Sequence, residues 1–160
     1  MRRSFALLAA LLLAAAHTAR AQSAISVPDP SFGGNFTLLT SANMPVTLQN
    51  FHGTNLVLTF GASPPALARL AQALSLADPS GEKIRAALIT TAPVTPPPRV
   101  TLLSGPAPAV RQAAAEYNAT NPVLATKLFY FLGPTGKFIA LIPTSLTPGQ
   151  MAGQLKRLSR

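Results

Sequence analysis

Residues 56–91 read LVLTFGASPPALARLAQALSLADPSGEKIRAALITT. Leu56-Val57-Leu58-Thr59-Phe60 is a short apolar run with β-branched and aromatic members, closed by Gly61. Its length, composition and glycine stop predict a buried strand. Ser63-Pro64-Pro65 then opens a helix. Serine is a good N-cap, and proline is tolerated in the first turn because its missing N–H would be unpaired there. Leu67, Leu70, Ala71, Leu74 and Ala77 recur at helical spacing and predict the apolar face. Asp78-Pro79-Ser80-Gly81 stops the helix, and residues 84–91 predict a second buried strand.

Outward from this unit, residues 36–40 and 45–48 read as short strands about a turn at 41–44. On the other side, residues 92–99 (APVTPPPR) form a connector whose consecutive prolines cannot continue a sheet interior. Val100-Thr101-Leu102-Leu103 predicts a strand, residues 107–117 a helix and residues 118–126 a loop. Residues 127–132 and 137–142 predict a hairpin about Gly133-Pro134-Thr135-Gly136. Thr147-Pro148 starts a last helix, with Met151, Leu155 and Leu158 on its apolar face. Short connections and right-handed crossovers leave few arrangements for this order. The expected fold over residues 33–160 is α/β, a thioredoxin-like three-layer sandwich with an N-terminal β-hairpin extension.

The ends of the chain speak to address. Arg2 and Arg3, an apolar run over residues 5–16 and Ala19-Arg20-Ala21 have the order of a secretory signal peptide. The run is too short to span a bilayer, so residues 1–21 are expected to be cleaved, with an uncleaved anchor as the alternative. Residues 22–32 are a polar lead-in, and no transmembrane segment is expected after cleavage. The expected location is the periplasm. Cleavage would leave 10 Lys and Arg against Asp29, Asp78, Glu82 and Glu116, a formal net charge of +6. The cations are spread along the sequence, apart from Lys156, Arg157 and Arg160 at the C-terminus, where a helix end favours them. No aromatic residues interleave with them as in a single-strand binder, so nucleic acid is not an expected partner. An acidic protein or an anionic membrane surface suits the charge.

The chain has no cysteine. Thiol catalysis, disulfide exchange and thiolate metal ligation are therefore impossible. Its 48% hydrophobic and 11% charged composition excludes disorder.

Several segments, in order, resemble the SCO/SenC family. Gly34-Asn35-Phe36-Thr37-Leu38, Pro45-Val46-Thr47-Leu48, Phe51-His52-Gly53 and residues 56–61 match the start of such proteins. Leu102-Leu103-Ser104-Gly105 with the helix to Tyr117, and Leu132-Gly133-Pro134-Thr135-Gly136-Lys137-Phe138, resemble later family segments. The resemblance implies copper binding by two cysteines after the first core strand and a histidine before the hairpin, in the service of cytochrome c oxidase. Other members act as thiol reductants. In this sequence Ser63 stands at the second cysteine position, the first has no counterpart, and Ala125 replaces the histidine.

Other residues do not promise a replacement site. His52 reads as a surface or turn histidine, Met151 as core, and Met44 as a turn residue. Asp78, Glu82 and Glu116 have ordinary positions at helix ends and turns, and no nucleophile motif or phosphate loop is present. No catalytic, cofactor-binding or metal residue is therefore expected, and no cofactor. The expected function is a non-catalytic binding or assembly protein, not an enzyme, linked to respiratory-oxidase or copper handling. Its partner would be another protein in the periplasm or at the membrane surface. The alternative is a copper chaperone for cytochrome c oxidase assembly with an altered site drawn from His52 or Met44.

Overall fold

The computed structural model describes residues 33–160. The expected signal peptide, the lead-in at 22–32 and Asp29 lie outside the described residues. The elements are β1 (Thr37–Thr40), β2 (Pro45–Thr47), a 3-10 turn (Leu48–Phe51), β3 (Asn55–Phe60), α1 (Pro64–Ala77), β4 (Ile84–Ile89), β5 (Val100–Ser104), α2 (Ala107–Glu116), α3 (Pro122–Ala125), β6 (Leu128–Leu132), β7 (Phe138–Pro143) and α4 (Pro148–Leu158).

The strands form one sheet in the order β2-β1-β5-β4-β3-β6-β7. β3, β4 and β5 are parallel, while β6 runs against β3 and β7 against β6. Every residue of β3 is buried, because it lies near the middle of the sheet with both faces covered. The two-residue period of the strand divides its side chains between two cores. Val57 joins Leu67, Leu70 and Leu74 of α1 with Met151 and Leu155 of α4. Leu56, Leu58 and Phe60 join Ala113 of α2, Tyr117 and Ala125 of α3. The result is the three-layer α/β sandwich expected from the sequence.

The hairpin β1–β2 is more than an extension. β1 pairs with β5 through Leu39↔Ser104 and Thr40↔Leu103, so the hairpin continues the main sheet. Its second strand ends at Thr47, where the Asn50 side chain accepts a hydrogen bond from the Thr47 amide at 2.8 Å and the chain turns. β4 stops at Ile89, short of the expected Thr91. The Thr90 hydroxyl accepts from the Ala92 amide at 3.0 Å and turns the chain out of the sheet. In α1, Ala66 and Ala73 are buried while Ala71 and Ala77 are only half-buried, so the apolar face is rotated slightly from the expected one. The turn between β6 and β7 forms as expected, with Gly136 at φ +77, a region that favours glycine. The expected loop at 118–126 contains α3. Asn121 starts it by accepting from the Val123 and Leu124 amides, with Pro122 in the first turn.

Candidate functional site

β3 delivers its C-terminal end to a tight turn. Gly61 sits at φ +67 and donates its amide to the Ile89 carbonyl at 3.3 Å. Ala62 is buried and Ser63 exposed as α1 begins. Ser63 occupies the N-cap position with extended backbone, but its side chain makes no capping hydrogen bond. The expected serine cap is therefore present in position and absent in chemistry. From the other direction α3 brings Ala125, which is 2% exposed, and Thr126 to the same place. A Cβ added at Gly61 would lie 3.9 Å from Thr126 Cγ2. Two segments far apart in sequence, residues 61–63 and 125–126, thus meet at the end of the central strand.

Beneath this meeting point lies an aromatic cluster. Phe60 and Tyr130 meet edge to face with ring centroids 5.5 Å apart. Tyr117 stands 5.8 Å from Phe60 and 6.1 Å from Tyr130. Burial pushes the Tyr117 phenol up to about 12, and pushes Tyr130 upward as well. The Tyr117 hydroxyl donates to the Gly34 carbonyl at 3.2 Å, and the Gly33 amide donates to the Glu116 carbonyl at 2.8 Å. The cluster therefore ties the entry of the described chain to the end of α2.

The side chains at the meeting point are methyl and hydroxyl groups. Copper needs soft thiolates or imidazoles, and Ala62, Ser63, Ala125 and Thr126 supply neither. The residues present do not fit the metal. Nor does the fold import donors. His52 is exposed beside the β6–β7 turn, where a Cβ at Gly136 would lie 3.4 Å from its Nε2. Gly53 donates to the Pro134 carbonyl in that same turn, at the opposite end of β3. Met44 is exposed in the turn between β1 and β2, and Met151 is fully buried in the core. Among the described residues no three His, Asp or Glu side chains gather in a way that could hold a metal ion. Glu82 is exposed and Glu116 half-buried beside Gly34, so the acids do not converge as a catalytic pair.

The third described acid plays a larger part than a helix stop. Asp78 is 5% exposed. Its carboxylate accepts from the Lys83 and Ile84 amides at 2.9 Å each and from the Ser80 hydroxyl at 3.0 Å. Burial pushes its pKa up, but these donors and the Arg99 guanidinium outweigh burial and hold it below the ordinary carboxylate value. Arg99 Nη2 stands 3.5 Å from Asp78 Oδ2. Its Nη1 donates to the Leu74 carbonyl at 3.0 Å and the Asp78 carbonyl at 2.5 Å, so Arg99 also closes the end of α1. The Asp78-x-Ser80 spacing signals a local side-chain turn, but nothing in the sequence couples it to an arginine behind three prolines.

Fold and site together define a thioredoxin-like protein whose meeting loops carry no thiol or imidazole. The solved structures it resembles include Sco proteins. Yeast Sco1 with copper bound is 22% identical, aligns over 81% of this chain and 92% of that one, and superposes with a TM-score of 0.69. BsSco, a member of the Sco family of cytochrome c oxidase assembly proteins with a disulfide switch, is 17% identical over 84% of this chain and 97% of that one, with a TM-score of 0.63. The exposed lipoprotein thioredoxin Etrx1 of Streptococcus pneumoniae is 16% identical over 78% of this chain and 100% of that one, with a TM-score of 0.58. These likenesses show a shared thioredoxin-like fold. No protein-family model matches the sequence, and no curated protein matches it. Among the described residues no helix is long and apolar enough to cross a membrane.

Proposed function

We propose that this chain is a degenerate SCO/SenC protein, exported to the periplasm through a cleaved leader at residues 1–21. It acts there as a binding or assembly protein in respiratory-oxidase or copper handling, without copper or thiol chemistry and without catalysis. The observation that carries this reading is the meeting of residues 61–63 with 125–126, furnished only with methyl and hydroxyl groups. The architecture that would present ligands is intact and the donor set is gone. Support also comes from the structural neighbours, one solved with copper and another belonging to a family of cytochrome c oxidase assembly proteins.

The test is copper retention by the protein as the cell produces it, offered Cu(I) and Cu(II) against a competing chelator. No stoichiometric copper is expected to remain, and copper should leave the melting temperature unchanged, since only a ligand of the native state shifts it. Tight one-to-one binding abolished by His52→Ala would establish the copper-chaperone alternative instead. Deletion of the gene should lower assembled oxidase in the membrane, and the Ser63→Ala chain should restore it. Normal oxidase in the deletion strain would remove the assembly role.

A further inference from the structure

Cations that are spread along the sequence are gathered by the topology. β3, β4 and β5 are parallel and start at one end of the sheet. β6 is antiparallel to β3, with Leu132 opposite Leu56, so the β6–β7 turn lies at that same end. Lys83 and Arg85 at the start of β4, Arg99 before β5, and Lys137 after the turn therefore share one pole. Among the described residues Asp78 and Glu82 are the acids placed there, and Asp78 is already engaged by Arg99. At the opposite pole, the loops at 61–63 and 118–126 contain no charged residue, and Lys127 at the entry to β6 is a single cation beside them.

The basic pole is concave. A cleft of about 420 Å³ opens between the starts of β4 and β5, with Phe51, Arg85, Arg99 and Thr101 in its wall and no carboxylate among its lining residues. Arg85 is exposed and forms no ion pair among the described residues. Arg99 lies deeper, its side chain 22% exposed, and its guanidinium is held in place by the carbonyls at the end of α1. Its charge is already met by Asp78 and its Nη2 is buried, so Arg85 is the cation the cleft leaves open to an incoming anion. Thr101 adds an exposed hydroxyl, and Phe51 an aromatic wall for the stem of an incoming side chain.

We infer that this cleft binds an acidic segment of a partner protein, with a Glu or Asp carboxylate on Arg85. The inference rests on the proposed role as a binding protein and names the chemistry of its partner. Concavity is what selects a projecting side chain. A lipid surface is broad and flat, and would leave the recess between Phe51 and Thr101 unfilled.

The experiment titrates the protein as the cell produces it with labelled hexaglutamate, hexaglutamine and vesicles of phosphatidylcholine with phosphatidylglycerol. Hexaglutamate should bind, weaken as salt screens the charges, and shift the amide resonances of Phe51, Gly81 and Thr101. Arg85→Gln should weaken binding about tenfold, the loss of one charge-assisted hydrogen bond, while Arg85→Lys keeps most of it. Arg85 is exposed and supports no described contact, so equal melting temperatures are expected, and the resonance map on the unaltered protein locates the site independently. Equal binding of hexaglutamine, unchanged affinity in Arg85→Gln, shifts elsewhere, or binding to the anionic vesicles alone would each overturn the inference. None of these outcomes bears on copper retention, so the cleft can fail while the proposed function stands.

Discussion

The parallel strands of this sheet finish and start at two unlike poles. Where β3 finishes, the segments 61–63 and 125–126 meet over an aromatic cluster, and their own side chains are small and uncharged. Where β4 and β5 start, a buried carboxylate accepts three hydrogen bonds, faces a guanidinium and joins the end of α1 to two strands. The first pole is an arrangement of small side chains without thiol or imidazole. The second has a polar network that stabilises the fold and a basic cleft beside it. The difference teaches that packing alone can hold two loops together where their own side chains offer neither a charge nor a soft ligand.

If that is right, the largest loss should come from the aromatic cluster. Tyr117 is fully buried and touches both Phe60 and Tyr130. Tyr117→Ala should cost about 4 kcal/mol by the measure of buried aromatic truncations. Urea unfolding reads it, and a loss under 1 kcal/mol would show that packing does not hold this pole.

The opposite pole should follow. Asp78→Ala strands the Lys83 and Ile84 amides and leaves Arg99 beside an empty site. Partial exposure of Arg99 tempers the loss, which should be about 2–3 kcal/mol. The pH dependence has a definite sign. The folded pKa of Asp78 is depressed. Its contribution is complete above the unfolded carboxylate value of about 3.9, and is lost as pH falls through the lower folded value. The Ala variant should therefore lose less stability than the parent over that acid window. Parallel losses in the two proteins would contradict the assignment.

A spectroscopic contrast tests the aromatic pole without mutation. Tyr117 and Tyr130 are the chain's two tyrosines, and burial raises both. Tyr117 should stay un-ionised in the folded state near pH 10, and Tyr130 should be less ionised there than an ordinary tyrosine, which is half ionised. The Tyr117 contribution to stability is complete below about pH 10 and is lost as pH rises toward its folded value of about 12. Tyrosinate absorbance at pH 10 equal to that of two ordinary tyrosines, in protein with native circular dichroism, would break this account.

The smallest effect compares two helix starts. Thr147 accepts from the Gln150 amide at 3.3 Å, while the Gln150 side chain accepts from the Thr147 amide at 3.1 Å. Ser63 makes no such bond. Thr147→Ala should cost about 1 kcal/mol, and Ser63→Ala less than about 0.5 kcal/mol. Equal costs would mean that Ser63 caps α1 in solution.

Much of this was legible from the chain alone. The apolar run at 56–60, the helical spacing after Pro65 and the Gly-Pro-Thr-Gly turn each carry a local rule, so strand, helix and hairpin were readable one at a time. Ser63 and Ala125 could be placed against the copper positions of a family the sequence resembles, and the structure brings those two segments together. Edges were less readable: β4 ends early because the Thr90 hydroxyl redirects the chain, and α3, at 4 residues, is too short to show a helical period and is started by Asn121 accepting from two amides. The sequence by itself determined the absence of thiols, the order of the strands and the leucines that α1 buries, because composition, chain order and periodicity are properties of neighbours. Only the tertiary structure decided that Asp78 would face Arg99, that Tyr117 would lock Gly34, and that dispersed cations would share one pole. Those outcomes depend on which strand ends lie side by side, and strand pairing across tens of residues is set by the packing of the whole sheet, which no local pattern encodes.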